Sequence, residues 1–164
     1  MNLSEITKTG INPALALLPA KMDTPGARVM LLAIGLQESR FVHRRQIKGP
    51  AVGFWQFERG GGVRGVLTHP SSWPDARAIC TARDVEPTAT DVYNSLAHDD
   101  ILAAGFARLL LWTDPARLPA IGDSDAAWQL YLRTWRPGKP HPGTWDALYS
   151  QAVAAVGGGY DGMD

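Results

Sequence analysis

The stretch Gly35–Arg59, GLQESRFVHRRQIKGPAVGFWQFER, decides how this chain is read. It opens at the end of an apolar run, VMLLAIGL over residues 29–36, which is long and poor in strand punctuation and therefore predicts a buried helix. One carboxylate, Glu38, follows that run. On the last turn of a buried helix water is scarce, so the charged form is disfavoured and the pKa rises towards the range useful for general acid work. After a basic loop comes GFWQF, where Gly53 allows close backbone approach, Trp55 offers a flat apolar face, and Gln56 both donates and accepts.

Glu38, Ser39, Phe41, Gly53 and Gln56 together resemble the signature of the lytic transglycosylases and goose-type lysozymes, which cleave peptidoglycan. That signature is a Glu-Ser pair, an aromatic residue shortly after, and a Gly-x-x-Gln element. Here Gly53 stands fifteen positions after Glu38. The resemblance covers residues 33–57 and thins out beyond them. It implies a mainly α, lysozyme-like domain of α+β type, with an irregular or β-hairpin segment at residues 44–60 walling a cleft that has Glu38 at its floor. It implies cleavage of the β-1,4 bond between N-acetylmuramic acid and N-acetylglucosamine, with glycan strands as partner and no cofactor. Ser39, Gly53, Trp55, Gln56 and Tyr131 would line the substrate. Tyr131, in YLRTWRPGKP, occupies the place of the family's Tyr-Asn-x-Gly element, whose tyrosine holds the catalytic Glu; here Leu132 replaces the Asn and the glycine is displaced to Gly138. A phage or prophage origin fits the same resemblance, with the protein acting as an endolysin or carried in the virion.

A length of 164 residues fits one domain with a real core, expected over residues 1–156 and followed by a loose glycine-rich tail at 157–164. Apolar content of 45% with 20% charged residues is that of a globular chain rather than a disordered or membrane one. The start, MNLSEITKTG, is polar, and the LALLP that follows is too short for a signal peptide or a span. Synthesis in the host cytoplasm is therefore expected, with action on the wall after release, and a monomer is expected. A single cysteine, Cys80, excludes an internal disulfide framework and reads as core filler, and His43, His69, His98 and His141 lack metal-site spacing. Net charge is zero but uneven, since residues 1–80 carry ten Lys/Arg against five Asp/Glu. Arg40, Arg44, Arg45, Lys48, Arg59 and Arg64 form a basic segment that could steer an anionic polymer or simply be solvated. The neutral total and the absence of any nucleic-acid-binding motif argue against DNA or RNA.

Several helices follow from local signals. A short one is expected around residues 14–18. Thr24-Pro25 is a cap followed by proline at the first helical position, starting a helix that ends between residues 37 and 40. Gly49-Pro50, Gly53 and Gly60-Gly61-Gly62 punctuate residues 41–62 as loop or hairpin. Further short helices are expected at VRGVL, at WPDARAICTAR and over residues 91–96. DDILAAGFARLLLW, residues 99–112, is a core helix, Ser124 caps another, and the last runs from after Thr144 to about Val156.

Glycoside cleavage usually employs a second carboxylate, and Glu58, Asp99 and Asp100 are the candidates, each with a capping or surface role as the plainer alternative. Lytic transglycosylases avoid the need, because one Glu serves as acid and then base while the sugar's own 6-hydroxyl closes a 1,6-anhydro ring. Goose-type lysozymes use water, and both outcomes stay open. Gln56 has a plainer alternative in serving its own loop backbone, and Tyr131 one as a core residue spaced with Trp128 and Trp135. A different class of function is a wall-binding or phage structural protein that keeps the fold without catalysis.

Overall fold

In the computed structural model, which describes residues 1–160, every regular element is helical. The chain begins with α1 (Leu3–Ile6), capped by an Asn2/Glu5 capping box, and passes through a widened π-helical turn, Thr7–Ile11, into α2 (Asn12–Ala16). The expected helix at 14–18 is thus the end of a longer helical segment. In α3 (Pro25–Ser39) the Thr24 hydroxyl accepts from the Ala27 amide at 3.0 Å and Pro25 takes the first helical position. α4 (Arg64–Thr68), α5 (Trp73–Ala82) and α6 (Ala89–Leu96) are short. The core helix α7 (Asp100–Trp112) is capped by Asp99, which accepts from the Leu102 amide at 3.0 Å.

Three boundaries differ from expectation. α8 (Ser124–Trp135) is capped by Asp123, whose carboxylate accepts from Ala126, so Ser124 is its first helical residue. α9 (Pro142–Tyr160) starts two residues before Thr144 and continues through the glycines at 157 and 158, and only residues 161–164 of the expected loose tail lie outside the described residues. No β-hairpin forms at 44–60. Arg45 bridges Val52 and Val52 bridges Phe57, but these pairings are isolated and no strand exists among the described residues. The glycines and the left-handed backbone at Lys48 and Gln56 turn the chain before a ladder can extend.

Helices α3 and α7 are buried on nearly every side, from Ala27 to Ser39 and from Leu102 to Leu111. Such all-round apolarity marks helices at the centre of a domain rather than on its surface. Around them the remaining helices close one continuous core that includes Cys80, fully buried as expected. Burial pushes the Cys80 thiol up to about 11, which leaves it protonated and inert at neutral pH. No helix among the described residues is long and apolar enough to cross a membrane.

The exit from α3 is unusual. Arg40 and Phe41 both adopt left-handed backbone, φ 56° and 55°, and this turns the Phe41 ring back onto the helix it has just left. Gly35 makes the room, since a Cβ there would lie 2.1 Å from Phe41 Cζ. Gly35→Ala should therefore destabilise the fold by about 1–3 kcal/mol through overpacking, although alanine is the better helix former by about 1 kcal/mol. Urea unfolding of the two proteins checks this, and equal midpoints would show that the ring can move aside.

Candidate functional site

Ser39, the last residue of α3, is buried, and its hydroxyl is fully employed. It donates to the Phe54 carbonyl at 2.7 Å, with the Gly35 carbonyl at 3.2 Å alongside, and accepts from the Phe41 amide at 3.1 Å. The residue expected at the substrate thus ties the helix end to the loop that returns beneath it. Trp55 is corrected in the same way. It is completely buried, packs edge-on against Phe41, and donates its indole N–H to the Leu31 carbonyl at 2.8 Å, so no face is left for a sugar ring. Gly53 is buried with φ 76°, and a Cβ there would lie 2.8 Å from the Leu96 carbonyl oxygen. Its close approach is to the end of α6. The motif that singled out these residues records how one turn is built.

Glu38 differs from them. It is half-buried, and its Oε1 accepts a 2.5 Å hydrogen bond from the Tyr131 hydroxyl on α8. Burial raises the Glu38 pKa, and the tyrosine bond, which favours the anion, opposes that rise without cancelling it. Tyr131 is 3% exposed, and burial, followed by the neighbouring carboxylate, pushes its own ionisation far upward, so the phenol stays a donor. An aromatic cluster fixes its ring: Trp145 stacks on it at 5.4 Å and 9°, and Trp128 tilts against it at 5.3 Å. The tyrosine assigned on position alone, despite the missing Asn, therefore meets the carboxylate it was expected to meet.

A closed circuit holds this pair. The Trp55 indole reaches back to Leu31 on α3, and the Trp55 carbonyl accepts from the Trp135 indole at 2.9 Å. Trp135 lies one helical turn after Tyr131, and Tyr131 returns to Glu38 on α3. Trp135 was legible in the sequence only as a neighbour of Tyr131 at helical spacing; its bond across to the loop was not.

Beside Trp135 runs an open groove of about 860 Å³, bounded by Gln56, Glu58 and the Gly60–Gly62 turn on one side and by Leu132, Trp135 and Arg136 on the other. Gln56 half-lines it, but its amide nitrogen donates to Gly53 O at 2.9 Å, the loop-serving role weighed against substrate binding. Arg133 is paired with Asp114 at 3.0 Å in the groove wall, and that hydrogen bond holds the Asp114 carboxyl below its ordinary value. Glu38 is linked to this groove through Tyr131, which lies one helical turn from the groove-lining Trp135.

The candidate second carboxylates separate clearly. Asp99 caps α7 and pairs with Arg83 at 3.0 Å, and Asp100 pairs with Arg44 through both oxygens. Both are structural. Glu58 is exposed, lines the groove, and has no ion-pair partner among the described residues. Among the described residues no three His, Cys, Asp or Glu side chains gather as a metal site. In comparisons with known proteins, no family model, curated protein or solved structure matches this chain.

Two consequences are measurable. Tyr131→Phe keeps the stacking and removes the donor that lowers the Glu38 pKa, so the carboxyl should titrate at higher pH still, read by carbon NMR of the Glu38 carboxyl. A carboxyl raised in the folded state binds its proton more tightly there than in the unfolded chain. Its contribution to stability is therefore complete below the unfolded pKa and is lost as pH rises through the folded one. Glu38→Gln should accordingly gain stability relative to the parent as pH climbs through that window, and parallel curves at all pH values would contradict the raised pKa.

Proposed function

We propose that this protein cleaves the β-1,4 bond between N-acetylmuramic acid and N-acetylglucosamine in peptidoglycan, with Glu38 as general acid and then general base. The observation that carries the reading is the Tyr131–Glu38 pair: a half-buried carboxyl with a raised pKa, oriented by one phenol donor, at the end of a buried helix. A lysozyme-like arrangement of the helices, with phage or prophage origin, belongs to the same proposal and rests on the Glu38, Ser39, Phe41, Gly53 and Gln56 pattern.

In the first step neutral Glu38 gives its proton to the bridging oxygen as the C1–O4 bond breaks and positive charge develops on the sugar. Glu38 is then anionic, and the Tyr131 bond stabilises it in that state. In the second step the carboxylate takes the proton of the substrate's 6-hydroxyl while O6 bonds to C1, closing a 1,6-anhydro ring and restoring the acid. We favour this transglycosylase outcome because Asp99 and Asp100 are committed to ion pairs. Glu58 is the one candidate left to activate water, and it keeps the lysozyme outcome open.

A second reading, a wall-binding or phage structural protein without turnover, is favoured by one observation, the departure of the Tyr131 element from the family's pattern, with Leu132 in place of the Asn. Incubation with peptidoglycan sacculi distinguishes the two, since a binder pellets with them and releases no soluble fragment.

Glu38→Gln preserves the shape of the site and removes the proton, so turnover should fall ~10²–10⁴-fold with folding intact. Glu58→Gln should cost little if the ring closes on O6 and much if water attacks. Mass spectrometry of the products reports the outcome directly, as anhydro ends are lighter than reducing ends by one water. Full activity in folded Glu38→Gln protein would refute the mechanism.

A further inference from the structure

The basic segment singled out in the sequence is not absorbed by the Glu38 site. Residues 42–50 project from the body, and all of them except half-buried Arg44 are exposed. The projection is held at its root. Arg44 pairs with Asp100 and lies over the Phe54 ring at 4.2 Å, the Gly53 amide donates to the Arg44 carbonyl at 2.6 Å, and Tyr93 donates to the Pro50 carbonyl at 2.5 Å. Farther out, the Gln46 amide donates to the Ala51 carbonyl at 2.8 Å. Ordering this segment on a partner therefore costs little entropy, because the fold has already ordered it.

Its composition is selective. Ile47 and Val42, 73% and 64% exposed, are the two most exposed large apolar side chains among the described residues, and they lie on this one projection. A single exposed aliphatic residue calls for no explanation, but two on a nine-residue protrusion amid cations do. Arg40, Arg45 and Lys48 are exposed and carry no ion pair among the described residues, and no carboxylate occurs between Ser39 and Phe57. A soluble polyanion would use the cations and leave Ile47 and Val42 in water. A bilayer interface takes both kinds of group, with aliphatic side chains entering the headgroup boundary and cations meeting phosphates.

We propose that the 42–50 projection docks on an anionic phospholipid surface, with Ile47 and Val42 entering the headgroup layer and Arg40, Arg45 and Lys48 bound to lipid phosphates. This does not depend on the reading of Glu38. The whole protein, incubated with phosphatidylglycerol-containing vesicles and sedimented, should partition onto them and stay in solution with pure phosphatidylcholine vesicles. Arg45→Gln and Lys48→Gln should each weaken partition about fivefold, and the double change Val42→Ser, Ile47→Ser by about tenfold or more. All four side chains are exposed, and melting curves confirm that the variants fold. No partition onto phosphatidylglycerol vesicles, or equal partition onto phosphatidylcholine, would overturn the proposal. So would partition that the serine substitutions leave unchanged and duplex DNA abolishes, which would reveal a simple polyanion patch.

Discussion

Everything at the candidate site depends on the circuit that leaves α3 at Leu31, passes through Trp55 and Trp135, and re-enters it at Glu38 through Tyr131. Leu31 and Glu38 are seven residues apart, about 10.5 Å along a helix. The circuit therefore spans two turns of α3 with side chains from a loop and from α8. Each bond contributes only about 0.5–1.5 kcal/mol net, but the Trp55 indole bond to Leu31 is buried, and breaking it leaves its partner unsatisfied. Closure matters more than the sum, because α8 cannot shift relative to α3 without losing a bond at both ends.

Ser39 completes the arrangement from below. Its hydroxyl, between the Phe41 amide and the Phe54 carbonyl, sets where the loop passes under the helix end and hence where Trp55 falls. The Phe41 ring, seated on Gly35 and edge-on to Phe54 and Trp55, fills the space this creates. Glu38, one residue from Ser39, is thereby oriented by the packing of the helix end. A glutamate placed on a freely frayed helix end would be solvated and ordinary; here its environment is fixed, and its pKa departs accordingly.

That geometry explains what could and could not be read from the sequence. Thr24-Pro25 and the buried α3 and α7 follow from local rules, the Glu38–Tyr131 meeting is what the family resemblance implies, and the structure contains them all. Ser39, Gly53 and Trp55 were read as substrate contacts because spacing shows that residues belong together and not which way they face. Their burial is set by Phe41 folding back, and two successive non-glycine residues in left-handed backbone have no dependable local signal. Of the two forms expected at 44–60, irregular or hairpin, the structure has the irregular one, since two isolated bridges satisfy the loop while α6, Tyr93 and Asp100 hold it in place of a strand partner. At Asp123-Ser124 two capping residues are adjacent and either fits the pattern. The Asn2/Glu5 capping box, by contrast, was present in the sequence as Asn-x-x-Glu and would have placed the first helix correctly.

The opposing influences on Glu38 bear on whether one carboxyl can perform both proton transfers. A general acid must keep its proton until substrate arrives, and burial acts in that direction; a general base must be stable enough as an anion to wait for the second transfer, and the tyrosine bond acts in that one. Burial alone would give an acid whose conjugate base is too costly to form. The hydrogen bond alone would give an ordinary carboxylate, already ionised before substrate arrives. Combined on one side chain, they bring the two protonation states closer in energy without exchanging any residue between steps. Asp99 and Asp100, each paired with an arginine, are tied into the scaffold instead. The pairing of desolvation with a single rigid donor is thus the feature that suits this site to a mechanism in which one residue acts twice, and it is supplied by α3, α8 and the aromatic cluster between them.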